Sequence, residues 1–128
     1  MPRLALVIDD SMLIRHTVCR YFESRGFLVE SASNGAEALE MLQHITPNLI
    51  ITDLQMPKMT GSELITVLKR RPDTKDLPII VLAGKKTSSD PATETRADIT
   101  IYKDIDIVEQ IEMAVNSTFP ELVEQAPV

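Results

Sequence analysis

Three short apolar runs close on charged residues, and this arrangement constrains the chain more than any other feature. Leu4-Ala5-Leu6-Val7-Ile8 leads into the adjacent pair Asp9-Asp10, Leu49-Ile50-Ile51-Thr52 into Asp53, and Ile99-Thr100-Ile101-Tyr102 into Lys103. Near-continuous apolar runs of this length fit strands buried on both faces of a parallel sheet. Parallel strands put their carboxyl ends on one edge, where open α/β sheets form a binding crevice. Three carboxylates and one ammonium, remote in sequence, are therefore expected in one pocket. The carboxylates repel one another unless a cation joins them, and hard oxygen ligands favour Mg2+.

Strand and helix patterns alternate along the chain. Ser11 is a good N-cap, and Leu13, Ile14, Val18, Tyr21 and Phe22 recur at helical spacing until Gly26 stops the helix. Phe27 to Ala32 fits a second strand, Asn34-Gly35 a turn, and Ala36 to Leu42 a second helix ending before Pro47. A third helix is expected from about Ser62 to Arg71, a fourth strand over Ile79 to Leu82, and a last helix from Ile105 to about Phe119. Between Gly84 and Ala97 the chain is polar, and only a short, weakly packed helix or an ordered loop is expected. Regular β-α alternation predicts a doubly wound five-stranded parallel sheet with helices on both faces.

The 128 residues, 44% hydrophobic and 25% charged, suit one domain with an ordinary core. The expected domain is 1–120, with 121–128 as a tail or the start of a linker. A net charge of −6 without a Lys/Arg cluster argues against direct nucleic-acid binding. The densest basic run, Lys69-Arg70-Arg71, reads as a solvated helix end. Cys19 is alone, which excludes a disulfide framework and a zinc site. No stretch is long enough to span a membrane, and Met1-Pro2-Arg3 enters a strand directly, so a cytoplasmic location is expected.

Val7-Ile8-Asp9-Asp10-Ser11 and Asp53-Leu54-Gln55-Met56-Pro57-Lys58-Met59-Thr60-Gly61 resemble the motifs of response-regulator receiver domains. The likeness runs through Arg15, Gly26, Val29, Ala32, Asn34-Gly35 and Ala38-Leu39 to Lys103. It implies a CheY-like, flavodoxin-like strand order of 2-1-3-4-5. It also implies roles. Asp53 would accept a phosphoryl group as an acyl phosphate; Asp9, Asp10, Asp53 and the Gln55 carbonyl would hold Mg2+; Lys103 would contact the phosphoryl oxygens. Bringing a phosphoryl group to a carboxylate gathers negative charge, which a divalent cation and an ammonium offset. Pro57 and Gly61 would shape the intervening loop through fixed and permissive φ respectively. The implied partners are a sensor histidine kinase or phosphotransfer protein and a downstream output protein or domain. The chain would be an autocatalytic phosphoacceptor rather than a turnover enzyme.

The pattern breaks in one half of the chain. Receiver domains usually carry Thr or Ser where Ala83 stands, an aromatic residue at Thr100, and Pro after the lysine, where this chain has Asp104. Tyr102 is expected on the opposite strand face from position 100, a poor substitute for that aromatic. Thr87 and Ser88 are candidates to supply a hydroxyl if their loop folds inward, and Lys85, read first as a surface lysine, is the other residue within reach of the phosphoryl site. The output switch is therefore expected to be weak or replaced. The alternative is a phosphorylation-independent interaction module, with homodimerisation possible through the face of the fourth helix, fifth strand and last helix. A dehalogenase-type phosphatase is disfavoured, since Asp9-Asp10-Ser11-Met12 lacks its second aspartate in register.

Overall fold

The computed structural model describes residues 3–56, 58–84, 96–103 and 106–120. The chain alternates β1 (Leu4–Ile8), α1 (Met12–Ser24), β2 (Leu28–Ala32), α2 (Gly35–Met41), β3 (Leu49–Asp53), α3 (Gly61–Arg70), β4 (Ile79–Ala83), β5 (Ile99–Tyr102) and α4 (Ile107–Thr118). The sheet order is β2-β1-β3-β4-β5 and every pairing is parallel, as the apolar runs predict. Pro57, Lys85, Thr87, Ser88, Asp104, the tail 121–128 and all but Arg96 of the short helix expected near residues 91–96 lie outside the described residues.

β3 and β4 are buried along their whole length because helices cover both faces of the sheet. Alternate side chains divide between two cores. On one face Val7, Leu49, Ile51, Ile80 and Leu82 meet Val18 and Phe22 of α1 and Ile111 and Val115 of α4. On the other, Leu6, Ile8, Ile50, Ile79 and Val81 meet Ala38 of α2 and Leu64, Ile65 and Leu68 of α3. Each such Leu or Ile withdrawn from water contributes roughly 1.5–3 kcal/mol, which holds the strand ends in register.

Local chemistry sets the helix ends. The Ser11 hydroxyl accepts from the Ile14 N–H at 3.3 Å, and α1 gives way to Gly26 at φ 87°. Asn34, expected in a turn, is the N-cap of α2 and accepts from the Glu37 N–H at 2.9 Å. Thr60 and Glu63 form a reciprocal capping box on α3. The last helix begins at Ile107, where Asp106 caps it by accepting from the Glu109 N–H at 3.2 Å; the expected start, Ile105, lies outside the described residues. Phe27 precedes β2 and packs edge-on against Phe22, with ring centroids 5.0 Å apart.

One expectation on β5 is corrected. Ile99 and Ile101 pack into the α1–α4 core, so Thr100 and Tyr102, two residues apart, share the other face. Tyr102 does not oppose Thr100.

Candidate functional site

The strand order reverses between β1 and β3, leaving a crevice at their carboxyl ends. Asp9 follows β1 and Asp53 closes β3, so the two are neighbours across the switch point. Lys103 follows β5, two strand spacings or about 10 Å from β3, a gap that a lysine stem and an aspartate stem span together. Between them β4 ends at Ala83, with Gly84 next in the chain. The Lys103 N–H donates to the carbonyls of both Ala83 (3.1 Å) and Gly84 (3.2 Å), fixing the root of its side chain.

The ammonium meets both carboxylates. Lys103 Nζ lies 3.0 Å from Asp53 Oδ1 and 2.9 Å from Asp9 Oδ2. Asp9 is fully buried. Its Oδ1 accepts from the Ser11 N–H at 2.8 Å, and its carbonyl accepts from Arg15 Nη1 at 2.7 Å. That second contact gives Arg15 a positioning role its place in the sequence did not reveal. Asp9 Oδ2 is shut off from water and, among the described residues, meets only the Lys103 ammonium. Asp9, the exposed Asp10 and Asp53 can bring carboxylate oxygens within 4.8 Å of one another, so the cluster fits a small divalent ion.

The electrostatics follow from this crowding. Burial first, then the charge of Asp9, pushes the Asp53 carboxyl above its ordinary value; Lys103 and the Gln55 N–H, 3.4 Å from Asp53 Oδ1, oppose the shift. Burial pulls Lys103 down, yet its contacts with Asp9 and Asp53 outweigh that and raise it overall. The lysine is therefore held as an ammonium between two carboxylates.

The loop after β3 corrects the reading of Gly61. Among the described residues positive φ occurs at Gly26 and Lys58, so permissive φ is not what Gly61 supplies. Space is. A Cβ on Gly61 would stand 2.2 Å from the Asp53 carbonyl oxygen and 2.8 Å from Leu54 Cα. Gly61 donates its N–H to the Leu54 carbonyl at 2.9 Å, so α3 starts directly against the residue carrying the central carboxylate. The left-handed residue is Lys58, at φ 69°. Ala83 stands at the crevice end of β4 and brings no hydroxyl, while Thr100 lies back along β5 beside Val81.

A doubly wound sheet with three aspartates and a lysine at its switch point defines a class, and comparison with known proteins agrees. The profile of the response regulator receiver domain matches residues 5–115, and the chain belongs to that family. It is 32% identical over 130 residues to the phosphate regulon transcriptional regulatory protein PhoB of Klebsiella pneumoniae, covering 98% of this chain and 57% of PhoB. It is 34% identical over 90 residues to the response regulator MprA of Mycobacterium sp. (strain KMS), covering 70% of this chain and 38% of MprA. The chain thus spans well under two thirds of these curated relatives. Among solved structures, the chemotaxis response regulator CheY4 of Vibrio cholerae superposes with a TM-score of 0.81 at 27% identity, covering 93% of this chain and all of that one. The receiver fold of two-component signalling is shared along the chain. No helix among the described residues is long and apolar enough to cross a membrane.

Proposed function

We propose that this receiver domain takes a phosphoryl group from a partner histidine kinase or phosphotransfer protein onto Asp53, in a Mg2+-dependent reaction. The observation that carries the reading is the convergence of Lys103 Nζ on Asp53 Oδ1 and on the buried Asp9 Oδ2. An oxygen of the Asp53 carboxylate forms the new P–O bond as the P–N bond of a phosphohistidine breaks. The departing nitrogen keeps the electron pair, the imidazole takes up a proton, and Asp53 becomes an acyl phosphate. Asp9, Asp10, Asp53 and the Gln55 carbonyl would hold Mg2+, which when bound offsets the negative charge of the transferring group. Lys103 supplies a second, fixed positive charge to the phosphoryl oxygens. Arg15 and Ser11 hold Asp9 in place, and Gly61 keeps Asp53 close to α3. Transfer to the chain's own side chain makes it a phosphoacceptor rather than a turnover enzyme.

The partner must approach past α1, whose first residues Met12 and Leu13 are 75% and 74% exposed. Acting on a kinase's phosphohistidine and on an output domain fits a cytoplasmic location. The output is atypical on this reading. Ala83 offers the acyl phosphate no hydroxyl, so the bound phosphoryl group discriminates less between two arrangements of β4 and β5. That same feature favours a second reading, a receiver fold acting by phosphorylation-independent contacts.

Intact-mass spectrometry after incubation with acetyl phosphate, with and without Mg2+, separates the two. A Mg2+-dependent phosphoryl adduct that Asp53→Asn lacks is the expected result. Absence of the adduct, together with no transfer from a cognate kinase and no Mg2+ binding, would leave the phosphorylation-independent module.

A further inference from the structure

β5 is an edge strand: it pairs with β4 on one side and, among the described residues, with no strand on the other. An edge leaves a row of backbone donors and acceptors on its outer side. At Tyr102 one side chain takes both. Gln110 Oε1 accepts from the Tyr102 N–H at 3.1 Å, and Gln110 Nε2 donates to the Tyr102 carbonyl at 2.8 Å. The amide can face only this way, since the reverse would set donor against donor and acceptor against acceptor. Gln110 is itself anchored in the first turn of α4. Its N–H donates to the Asp106 carbonyl at 3.2 Å, Nε2 also reaches that carbonyl at 3.4 Å, and the next residue, Ile111, is fully buried.

The Tyr102 carbonyl and the Lys103 N–H belong to one planar trans peptide and point in opposite directions. Gln110 holds the carbonyl on the outer side. On the inner side the N–H is held by the carbonyls of Ala83 at 3.1 Å and Gly84 at 3.2 Å. The peptide from which the Lys103 stem departs is thus gripped by the last helix and by the sheet. At the far end of that stem the ammonium meets Asp9 Oδ2 at 2.9 Å and Asp53 Oδ1 at 3.0 Å. We propose that Gln110 is a positioning residue for Lys103: by fixing the Tyr102–Lys103 peptide it sets where the ammonium stands against the two aspartates. A four-carbon stem is flexible, so its aim depends on a fixed root. Misplacing a group that must meet the transferring phosphoryl by about 1 Å can cost on the order of 100-fold in rate. A side chain that merely covered the strand edge would leave Lys103 unaffected.

The part Gln110 plays in phosphoryl transfer rests on the reading of Asp53 given above, but its hold on Lys103 does not, and the test separates the two. Gln110→Met keeps the length and helix propensity of the side chain and removes both hydrogen bonds to Tyr102. Amide hydrogen exchange, followed by NMR without Mg2+, reads the hold. Exchange at Lys103 should quicken about tenfold while the amides of β3 keep their protection, although the acceptors of the Lys103 N–H are untouched. The rate of Mg2+-dependent labelling of Asp53 by acetyl phosphate, read by intact mass, should fall roughly tenfold. Val115→Ala opens the core beneath α4 and leaves Gln110 in place, so it is the control for general loosening of the helix and should label at close to the unaltered rate. Circular dichroism checks that both variants fold. Unchanged exchange at Lys103 in Gln110→Met overturns the proposal, as does an unchanged labelling rate or an equal fall in Val115→Ala. If the unaltered chain takes no label, the phosphoryl reading fails, and exchange at Lys103 alone decides the role of Gln110: quickened exchange upholds it and unchanged exchange overturns it.

Discussion

Replacing Gly61 by alanine separates two physical accounts of why a glycine stands there. Gly61 is the first residue of α3, where alanine would improve helix propensity by up to about 1 kcal/mol. Its φ lies outside the left-handed range, so a Cβ meets no Ramachandran penalty. Steric contact alone opposes the change. The added Cβ would fall 2.2 Å from the Asp53 carbonyl oxygen, 2.8 Å from Leu54 Cα and 3.0 Å from the Asp53 carbonyl carbon. All three are backbone atoms and cannot swing aside as a side chain does. Restoring ordinary contact requires roughly 1 Å of separation between the end of β3 and the start of α3, whose side chains are close-packed. Overpacking of this kind costs about 1–3 kcal/mol and occasionally more. With the rigid backbone placing it at the upper end, the net expectation is about 2 kcal/mol of destabilisation. For a chain of this size that is a fall in Tm of about 7 °C, read by calorimetry. The displaced carbonyl belongs to Asp53, so the rate of acetyl-phosphate labelling should fall as well. Gly84→Ala is the control, because nothing lies within 4 Å of its Cβ position. A Gly61→Ala chain as stable as the original, with the labelling rate unchanged, would refute the steric argument.

Lys103→Met leaves the buried Asp9 and nearly buried Asp53 without their shared cation; about 3 kcal/mol of stability should be lost in Mg2+-free urea titrations and partly restored by adding Mg2+. Asp53 has a raised carboxyl pKa, so its ionised form is disfavoured by folding; above its folded pKa the native state carries that penalty. Asp53→Asn should therefore stabilise the metal-free protein near neutral pH, and the gain should shrink as pH falls through the carboxyl range; a gain independent of pH would contradict the assignment. Lys103 is shifted upward, so its contribution is fully present below its unfolded pKa and is lost as pH rises through the folded one; the alkaline decline in stability should flatten in Lys103→Met. The Tyr21 hydroxyl is buried and has no hydrogen-bond partner among the described residues. Tyr21→Phe removes that unsatisfied group and should be neutral or stabilising by up to about 1 kcal/mol in thermal melts, whereas a loss of 1 kcal/mol would reveal a partner.

The architecture was readable because its signals are local. Buried parallel strands need apolar runs, helices need a 3.6-residue stripe and a cap, and Leu4–Ile8, Leu49–Asp53 and Ile79–Ala83 meet the first need without ambiguity. Asp9, Asp53 and Lys103 could be placed at one edge because strand direction alone carries their side chains there. Less was legible where two demands compete for one residue. Asn34 suits a turn and a helix cap equally, and only the position of the Glu37 N–H selected the cap.

Periodicity and chain direction alone set the layer order, the strand ends and which charged groups reach the crevice. Packing between remote segments supplied the remainder. It set which Asp9 oxygen Lys103 meets, how Arg15 grips the Asp9 carbonyl, and how the Lys103 backbone is tied to Ala83 and Gly84. It also assigned Gly61 to close approach rather than to φ. These are distances between segments far apart in the chain or folded back on themselves, and no local propensity encodes them.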